Sequence, residues 1–193
     1  MICENKKIDT IINLIDTEYF DKTSGVLTIP NGVEEINGKF YIRRKNIQNL
    51  YKIKEVRLPN TVKKIGRYAF RRTGIVNIQL PLSIQEIELG AFELCSNLIE
   101  VSIVGKKVPL IEKDSFIACE NLETLRNSLG DIDVKKDFRI SNTAFSTCYK
   151  LLNKQNKWLL VVDQKPNNIF EKILSIVSKV FSYNGMESIK NKF

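Results

Sequence analysis

The chain has 193 residues and a formal net charge of +8, with 43% hydrophobic and 27% charged residues, a composition typical of a soluble globular protein with one buried core. It contains no histidine, which removes the commonest general base and the commonest metal ligand and argues against His-dependent catalysis and most zinc sites. Neither a signal peptide nor a run of about 18 apolar residues is recognisable. We therefore expect a cytoplasmic protein, or one exported without a recognisable signal peptide.

The first predicted element is an N-terminal helical cap in residues 1–24. Apolar residues recur there at three- and four-residue steps, which is the spacing of one helical face; they are Ile8, Ile11, Ile12, Ile15 and Tyr19. This pattern predicts an amphipathic helix over about residues 7–20. A stack of repeats needs an end piece to cover its first coil, and the helix would be that cap.

Residues 25–151 form a series of repeats. The three clearest copies read IKEVRLPNTVKKIGRYAFRRT, GIVNIQLPLSIQEIELGAFELC and SNLIEVSIVGKKVPLIEKDSFIAC. Pro59 recurs 22 residues later as Pro81, and Phe70 as Phe92, whereas the next step is 24 residues. A fixed period in the low twenties is typical of a solenoid.

Each repeat is interpreted as one coil of the solenoid. The alternating segment Val56-Arg57-Leu58-Pro59 predicts a short strand with one buried face, ended by proline. A second apolar pair, Val62 and Ile65 in the first copy, predicts the return side of the coil. The pair Ala69-Phe70 would turn the chain inward and fill the tube with a ring. Because one coil cannot bury its apolar face alone, the coils must stack, and like side chains should form ladders.

This repeat resembles the BspA-type leucine-rich repeat, whose pattern is LxxVxIPxxVxxIGxxAFxxC. Residues 53–73 and 74–95 fit the pattern closely, residues 97–119 fit it with two extra residues, and weaker copies lie at 27–36 and 140–148. The resemblance implies a right-handed, curved repeat solenoid of short parallel strands with little helix in the coils. It also implies a protein that binds other molecules and offers no catalytic residues to carry over.

The repeat is interrupted by an insertion at residues 37–52, because Pro30 and Pro59 lie 29 residues apart. Insertions in repeat proteins loop out on one face, often the binding face. Arg and Tyr are enriched in contact surfaces, and the candidate contact residues here are Tyr41, Arg43, Arg44 and Tyr51. The alternative is a locally adapted coil in which the usual core positions are taken by Phe40, Ile42, Ile47 and Leu50.

Basic residues are concentrated in residues 39–72, which hold twelve Lys and Arg against one acid, Glu55. Six of the eight arginines lie in this block, among them Arg57, Arg71 and Arg72. The block is interpreted as a surface that steers an acidic protein partner, as one that attracts the phosphates of a nucleic acid or a membrane surface, or as plain solvated surface. Because no known nucleic-acid-binding module is present, we favour a protein over a phosphate partner.

The outward positions of the predicted strands form the second candidate site. They alternate with the buried positions, and on a curved solenoid they would lie on the concave surface, where repeat proteins commonly bind. These positions are Glu55, Arg57, Asn77, Gln79, Glu100, Ser102, Thr124 and Arg126.

Three of the four cysteines share one repeat position, three residues after the repeat phenylalanine; they are Cys95, Cys119 and Cys148. The functional alternatives are a zinc site and disulfides. The paired C-x-x-C spacing of zinc sites is absent, and disulfides would conflict with the missing export signal. We therefore expect a ladder of buried free thiols, since free Cys packs as a small hydrophobe.

Residues 152–193 are predicted to form a C-terminal cap made of a strand and an amphipathic helix. The strand is expected at residues 158–162, and the helix begins after Pro166 and presents an apolar face between Ile169 and Phe181. The alternative is a helix that docks on a partner or lies on a membrane surface.

The sequence thus predicts a non-catalytic protein–protein interaction scaffold with no cofactor and no metal. It would bind a macromolecular partner through its concave sheet and its basic early coils, as a translocated effector or an inhibitor would. The alternatives are a binder of nucleic acid or of a nucleoprotein complex through residues 39–72, and a relative of a bacterial surface adhesin.

Overall fold

The computed structural model describes residues 6–39, 44–137 and 139–156. In this part of the chain, twelve short strands, a 3₁₀ turn and two α-helices build a solenoid of about five coils. Neither of these two helices has the length and apolar character needed to cross a membrane.

Sheet A takes one two-residue strand from each of five coils, and all its strands are parallel in the order β1-β4-β6-β8-β10. The second residue of every strand is a buried isoleucine, and the register places these isoleucines in one column that a bridge from Ile111 to Ile140 continues. The strands are β1 (Lys7–Ile8), β4 (Glu35–Ile36), β6 (Lys64–Ile65), β8 (Glu86–Ile87) and β10 (Leu110–Ile111).

Sheet B forms a second side of the coils and contains seven strands in the order β12-β11-β9-β7-β5-β3-β2. The five middle strands are parallel, whereas the outermost pairs, β2 with β3 and β11 with β12, are antiparallel. Burial alternates along the strands, so one face of the sheet packs in the core and the other faces outward. The strands are β2 (Phe20–Asp21), β3 (Val26–Thr28), β5 (Glu55–Arg57), β7 (Asn77–Leu80), β9 (Glu100–Ile103), β11 (Thr124–Asn127) and β12 (Gly130–Asp131).

The third side of each coil is a turn built around the repeat phenylalanine. The rings of Phe70, Phe92, Phe116 and Phe145 stack in the core with successive centroid distances of 5.4, 4.9 and 4.8 Å. In the coils of Phe70, Phe92 and Phe116 the backbone takes a positive φ on both sides of the ring. The residues two positions before the ring are Tyr68, Gly90 and Asp114, and those two positions after it are Arg72, Leu94 and Ala118. The strained turns persist because backbone hydrogen bonds join each one to the next coil, as from Phe70 N to Ala91 O.

The N-terminal segment does not form the helix predicted over residues 7–20. It forms strand β1, a 3₁₀ turn at Ile11–Leu14 that the Thr10 hydroxyl caps, and strand β2. Strand β1 pairs with β4 through its backbone, which an α-helix would forbid. Its apolar side chains point into the core as in any other coil, and Ile12 and Tyr19, which the helical face required, are only partly buried.

The insertion contains helix α1 (Arg44–Tyr51). Of the core residues that the adapted-coil interpretation predicts, Leu50 is buried and Ile47 is half-buried, whereas Phe40 and Ile42 lie outside the described residues. The end of α1 packs closely on the next coil, because a Cβ on Gly74 would collide with the carbonyl oxygen of Tyr51.

Helix α2 (Tyr149–Asn156) follows the last described coil. The rest of the predicted C-terminal cap, from residue 157 onward, lies outside the described residues.

Candidate functional site

The outward positions predicted for the strands lie together on the outer face of sheet B. The parallel register aligns them in two rows that run across the strands. The first row is Glu55, Asn77, Glu100 and Thr124, and the second is Arg57, Gln79, Ser102 and Arg126. We call these eight residues the sheet B face.

The charges on the sheet B face neutralise one another. Arg57 Nε donates to Glu55 Oε1 at 2.7 Å, and Arg126 donates to Glu100 Oε1 through Nε at 2.9 Å and through Nη2 at 2.7 Å. The remaining residues are uncharged amides and hydroxyls. The face is therefore polar but carries no net charge.

Exposed apolar side chains border the sheet B face on both sides. Seven large hydrophobic side chains are exposed in the described part of the chain, and five of them lie at the ends of sheet B strands or bond to residues there. Ile99 directly precedes β9, Val104 directly follows it, Leu82 lies two residues after β7, Leu129 lies in the turn between β11 and β12, and Tyr51 is hydrogen-bonded to Asn97. Of the other two, Leu110 lies in sheet A and Tyr149 begins α2.

A groove of about 390 Å³ adjoins the sheet B face on the Ile99 side. It is lined by Val76, Asn97, Ile99, Asn121, Glu123 and Lys150. Successive coils contribute these residues, and backbone hydrogen bonds from Ile99 N to Val76 O (2.8 Å) and from Glu123 N to Ile99 O (2.9 Å) hold them in register. The groove therefore runs across the coils, parallel to the rows of the sheet B face.

The outer face of sheet A is occupied by the protein's own ion pairs. Lys7 pairs with Glu35 at 3.2 Å and Lys64 with Glu86 at 3.4 Å, so charges alternate along the sheet. In the neighbouring row, hydrogen bonds from Lys63 and Lys6 to the Glu34 carboxylate hold the pKa of Glu34 below its ordinary value. These pairs connect coil to coil and leave little unpaired charge on this side.

The basic residues of 39–72 that the structure describes are distributed over three sides of the coils. One coil wraps all three sides, so neighbours in the sequence point in different directions. Arg57 lies on sheet B, Lys64 lies on sheet A, and Arg67, Arg71 and Arg72 lie on the phenylalanine turns. The structure thus does not gather them into one patch.

Acids of neighbouring coils pair with several of these bases. The Arg71 side chain, which is only 11% exposed, pairs with Glu93 at 3.0 Å and lies over the Tyr68 ring. Arg67 Nε lies 4.0 Å from Glu88. Arg72 is half-buried, and its backbone N–H donates to Glu93 O. The predicted role of Arg71 as an exposed contact residue is therefore not supported by its position.

Of the four candidate contact residues in the insertion, the structure describes two. Tyr41 and Arg43 lie outside the described residues, and Arg44 begins α1. Tyr51 ends α1 beside the groove, where its hydroxyl hydrogen-bonds the Asn97 side chain and Lys54 Nζ lies 4.4 Å from its ring centroid.

The three repeat cysteines form the predicted ladder of buried free thiols, which we call the thiol column (Cys95, Cys119 and Cys148). Each thiol donates to the carbonyl oxygen of the phenylalanine one coil earlier, at 3.1 to 3.2 Å. Burial raises the pKa of Cys148 to about 12, and a hydrogen bond with the Cys95 thiol together with burial raises the pKa of Cys119. Cys119 and Cys148 are therefore protonated at neutral pH, and all three thiols are buried as small hydrophobic groups of the core. Among the described residues no group of three or more Cys, Asp or Glu is placed to hold a metal ion.

The exposed apolar side chains that border the sheet B face were not predicted from the sequence. A signal was present, because Val76 and Ile99 directly precede strands at a position where neighbouring coils carry the charged Lys54 and Glu123. An apolar residue at a position where neighbouring coils carry a charge indicates apolar surface rather than a core role.

The repeats of the chain match a known family model. The model is described as a BspA type leucine rich repeat region in six copies and matches residues 13–152. Among solved structures, the chain is similar to a leucine-rich repeat protein from Bacteroides ovatus ATCC 8483 at 22% identity and a TM-score of 0.48, over 66% of this chain and 29% of the other. The match thus spans less than a third of the length of that structure. No curated protein sequence is significantly similar to the chain. Since the family model covers well over half of the sequence, the chain belongs to the BspA-type leucine-rich repeat family.

Proposed function

We propose that the chain is a non-catalytic scaffold that binds a protein partner across the outer face of sheet B. The observation that carries this proposal is the asymmetry between the two sheets. Apolar side chains border the sheet B face, whereas the outer face of sheet A is occupied by internal ion pairs. Large exposed apolar side chains grouped on one side of a soluble domain mark interaction sites, and repeat folds commonly bind through their sheet surface.

The charge distribution favours a protein over a nucleic acid. A nucleic-acid surface needs several cations on one face to neutralise phosphates. Here Arg57 and Arg126, the two arginines of the sheet B face, are each held by a glutamate. Mixed polar and apolar surface without net charge is instead the ordinary composition of a protein–protein contact.

The dimensions indicate an interface of modest size. Seven strands at about 4.8 Å spacing give a width of roughly 29 Å, and the five steps from Ile99 to Val104 at about 3.3 Å give roughly 17 Å. The product, about 500 Å², lies below the roughly 800 Å² per partner of a standard interface. Because this area already includes the apolar borders at Ile99 and Val104, the contact would be smaller than a standard interface. In this role the chain would act by covering a partner's surface, as an inhibitor or an effector without catalytic residues does.

Site-specific photo-cross-linking tests the proposal. Gln79 and Gln85 are exposed residues of one coil, the first in β7 of sheet B and the second directly before β8 of sheet A. We would replace each in turn with a photoreactive phenylalanine analogue and irradiate the full chain in a lysate treated with nuclease. A defined protein cross-linked from position 79 and not from position 85 is the expected result. Equal yields from both positions, a higher yield from position 85, or no cross-linked protein would refute the proposal.

A further inference from the structure

We propose that the groove beside the sheet B face takes an extended, uncharged segment of a partner protein, with one apolar side chain seated on Val76 and Ile99. This inference rests on the proposed function and adds the chemistry of the segment that is bound. Three properties of the groove support it: its apolar floor, its amide rim and its paired charges.

The floor of the groove is apolar and accessible. Ile99 is 43% exposed and Val76 is half-buried, and the backbone hydrogen bond between them fixes their spacing at one coil. Covering this surface with an aliphatic side chain removes apolar area from water on both partners, which is favourable.

The rim of the groove supplies amide groups that suit a peptide backbone. Asn121 Nδ2 donates to Ser96 O at 2.7 Å, which fixes the amide, and Asn121 Oδ1 accepts no hydrogen bond from any described residue. The Asn97 amide is held by the Tyr51 hydroxyl at 3.0 Å. Side-chain amides carry both donors and acceptors, so they can bond the N–H and C=O groups that an extended segment presents.

The charges of the groove are paired within the groove itself. Glu123 and Lys150 lie at one end, and Lys150 Nζ donates to Glu123 Oε1 at 3.0 Å. Because this half-exposed pair leaves no unmatched charge in the groove, a charged residue of the partner would gain little by binding there. The occupant that complements this arrangement is therefore uncharged.

The length of the groove fits a short stretch of extended chain. From Val76 through Ile99 to Glu123 the lining takes two coil steps, which is roughly 10 Å at the usual strand spacing. An extended chain advances about 3.3 Å per residue, so three or four residues of the partner cover the groove, and one of them faces the floor.

The test uses a phage-displayed library of random heptapeptides, selected on the immobilised full-length chain. Clones are then measured against two variants, Ile99→Arg and Leu110→Arg. These positions are matched, since both side chains are 43% exposed, but Leu110 lies on sheet A. Neither change touches the core, so both variants should fold, and circular dichroism checks this.

We expect selected peptides that share an uncharged stretch with one aliphatic residue, that lose at least 10-fold in affinity for Ile99→Arg, and that change less than 2-fold for Leu110→Arg. Peptides rich in charged residues, peptides indifferent to Ile99→Arg, or a failure to select any peptide would overturn the inference. The proposed function would survive any of these three outcomes if a protein still cross-links from position 79, so failure of the inference and failure of the proposed function are distinguishable.

Discussion

The stacked phenylalanines make a sharp prediction about how the solenoid is stabilised. The Phe116 ring stacks on Phe92 at 4.9 Å and on Phe145 at 4.8 Å, whereas Phe145 stacks on one ring among the described residues. Both side chains are almost fully buried. Replacing either with leucine removes the same side-chain atoms from a buried site, so the cost of the lost volume is similar in the two variants. Each lost aromatic pair adds about 0.5 to 1.5 kcal/mol.

The two variants therefore differ by one aromatic pair. Phe116→Leu should lower the free energy of unfolding by about 0.5 to 1.5 kcal/mol more than Phe145→Leu does. Equilibrium denaturation in urea, followed by circular dichroism, measures the difference, with equal m-values confirming that both variants unfold in the same way. An equal loss in the two variants, or a larger loss for Phe145→Leu, would refute the nearest-neighbour account of the stack.

Three further predictions concern the ion pairs, the thiol column and the insertion. Hydrogen bonds from Lys63 and Lys6 lower the pKa of Glu34 from its ordinary 4.5. The ionised Glu34 carboxylate therefore stabilises the fold above about pH 4.5, and this contribution is lost as the pH falls through the lowered pKa. Glu34→Gln should unfold at lower urea concentration than wild type at pH 7, and the difference should shrink toward pH 3. In a Cys3→Ser variant the thiol column should not react with a thiol reagent at pH 8 until the protein is unfolded, when all three thiols react. Gly74→Ala should cost about 1 to 3 kcal/mol in urea denaturation, because the added Cβ meets the carbonyl of Tyr51 at the end of α1.

Each of these predictions has a contradicting result. A stability difference between Glu34→Gln and wild type that is the same at pH 7 and pH 3 would show that the carboxylate is not stabilised by its lysines. Rapid reaction of any thiol in the folded Cys3→Ser variant would show that the column is accessible. A neutral Gly74→Ala substitution would show that α1 does not pack on the following coil.

The stacking of the repeats could be predicted because it depends on spacing alone. The 22-residue recurrence of Pro59 as Pro81 and of Phe70 as Phe92 places equivalent residues on neighbouring coils whatever the details of the turns. The family model confirms the repeat over residues 13–152. The outward positions of sheet B followed from the same argument, since strand residues alternate between faces.

The N-terminal segment was predicted wrongly because its apolar spacing fits two structures. Ile8, Ile11 and Ile15 lie at helical steps, but a coil of the solenoid also turns its chain inward every three or four residues. The choice between them is made by long-range pairing of β1 with β4, through the partners Lys7 with Glu35 and Ile8 with Ile36. Such non-local pairing overrides local propensity and leaves no mark in the segment itself.

The sequence predicted the charge of the early coils but not where that charge points. Residues 39–72 are strongly basic in sequence, yet the coil carries Arg57 to sheet B and Arg71 to a phenylalanine turn, where Glu93 from the next coil meets it. The described basic residues of this block therefore lie on all three sides of the coils rather than on one face. The position of a residue within its coil, not its neighbours in the sequence, decides which side it serves.

The most direct test of a partner site on the outer face of sheet B uses the protein identified by photo-cross-linking at position 79. The affinity of this protein for two matched variants shows which sheet it contacts. We would measure binding of that partner by isothermal titration calorimetry to wild type, Gln79→Arg and Gln85→Arg. A new, unpaired charge inside a contact should weaken binding at least 10-fold, or about 1.4 kcal/mol, for Gln79→Arg, and less than 2-fold for Gln85→Arg. Equal affinities for all three proteins, or a loss confined to Gln85→Arg, would contradict the account.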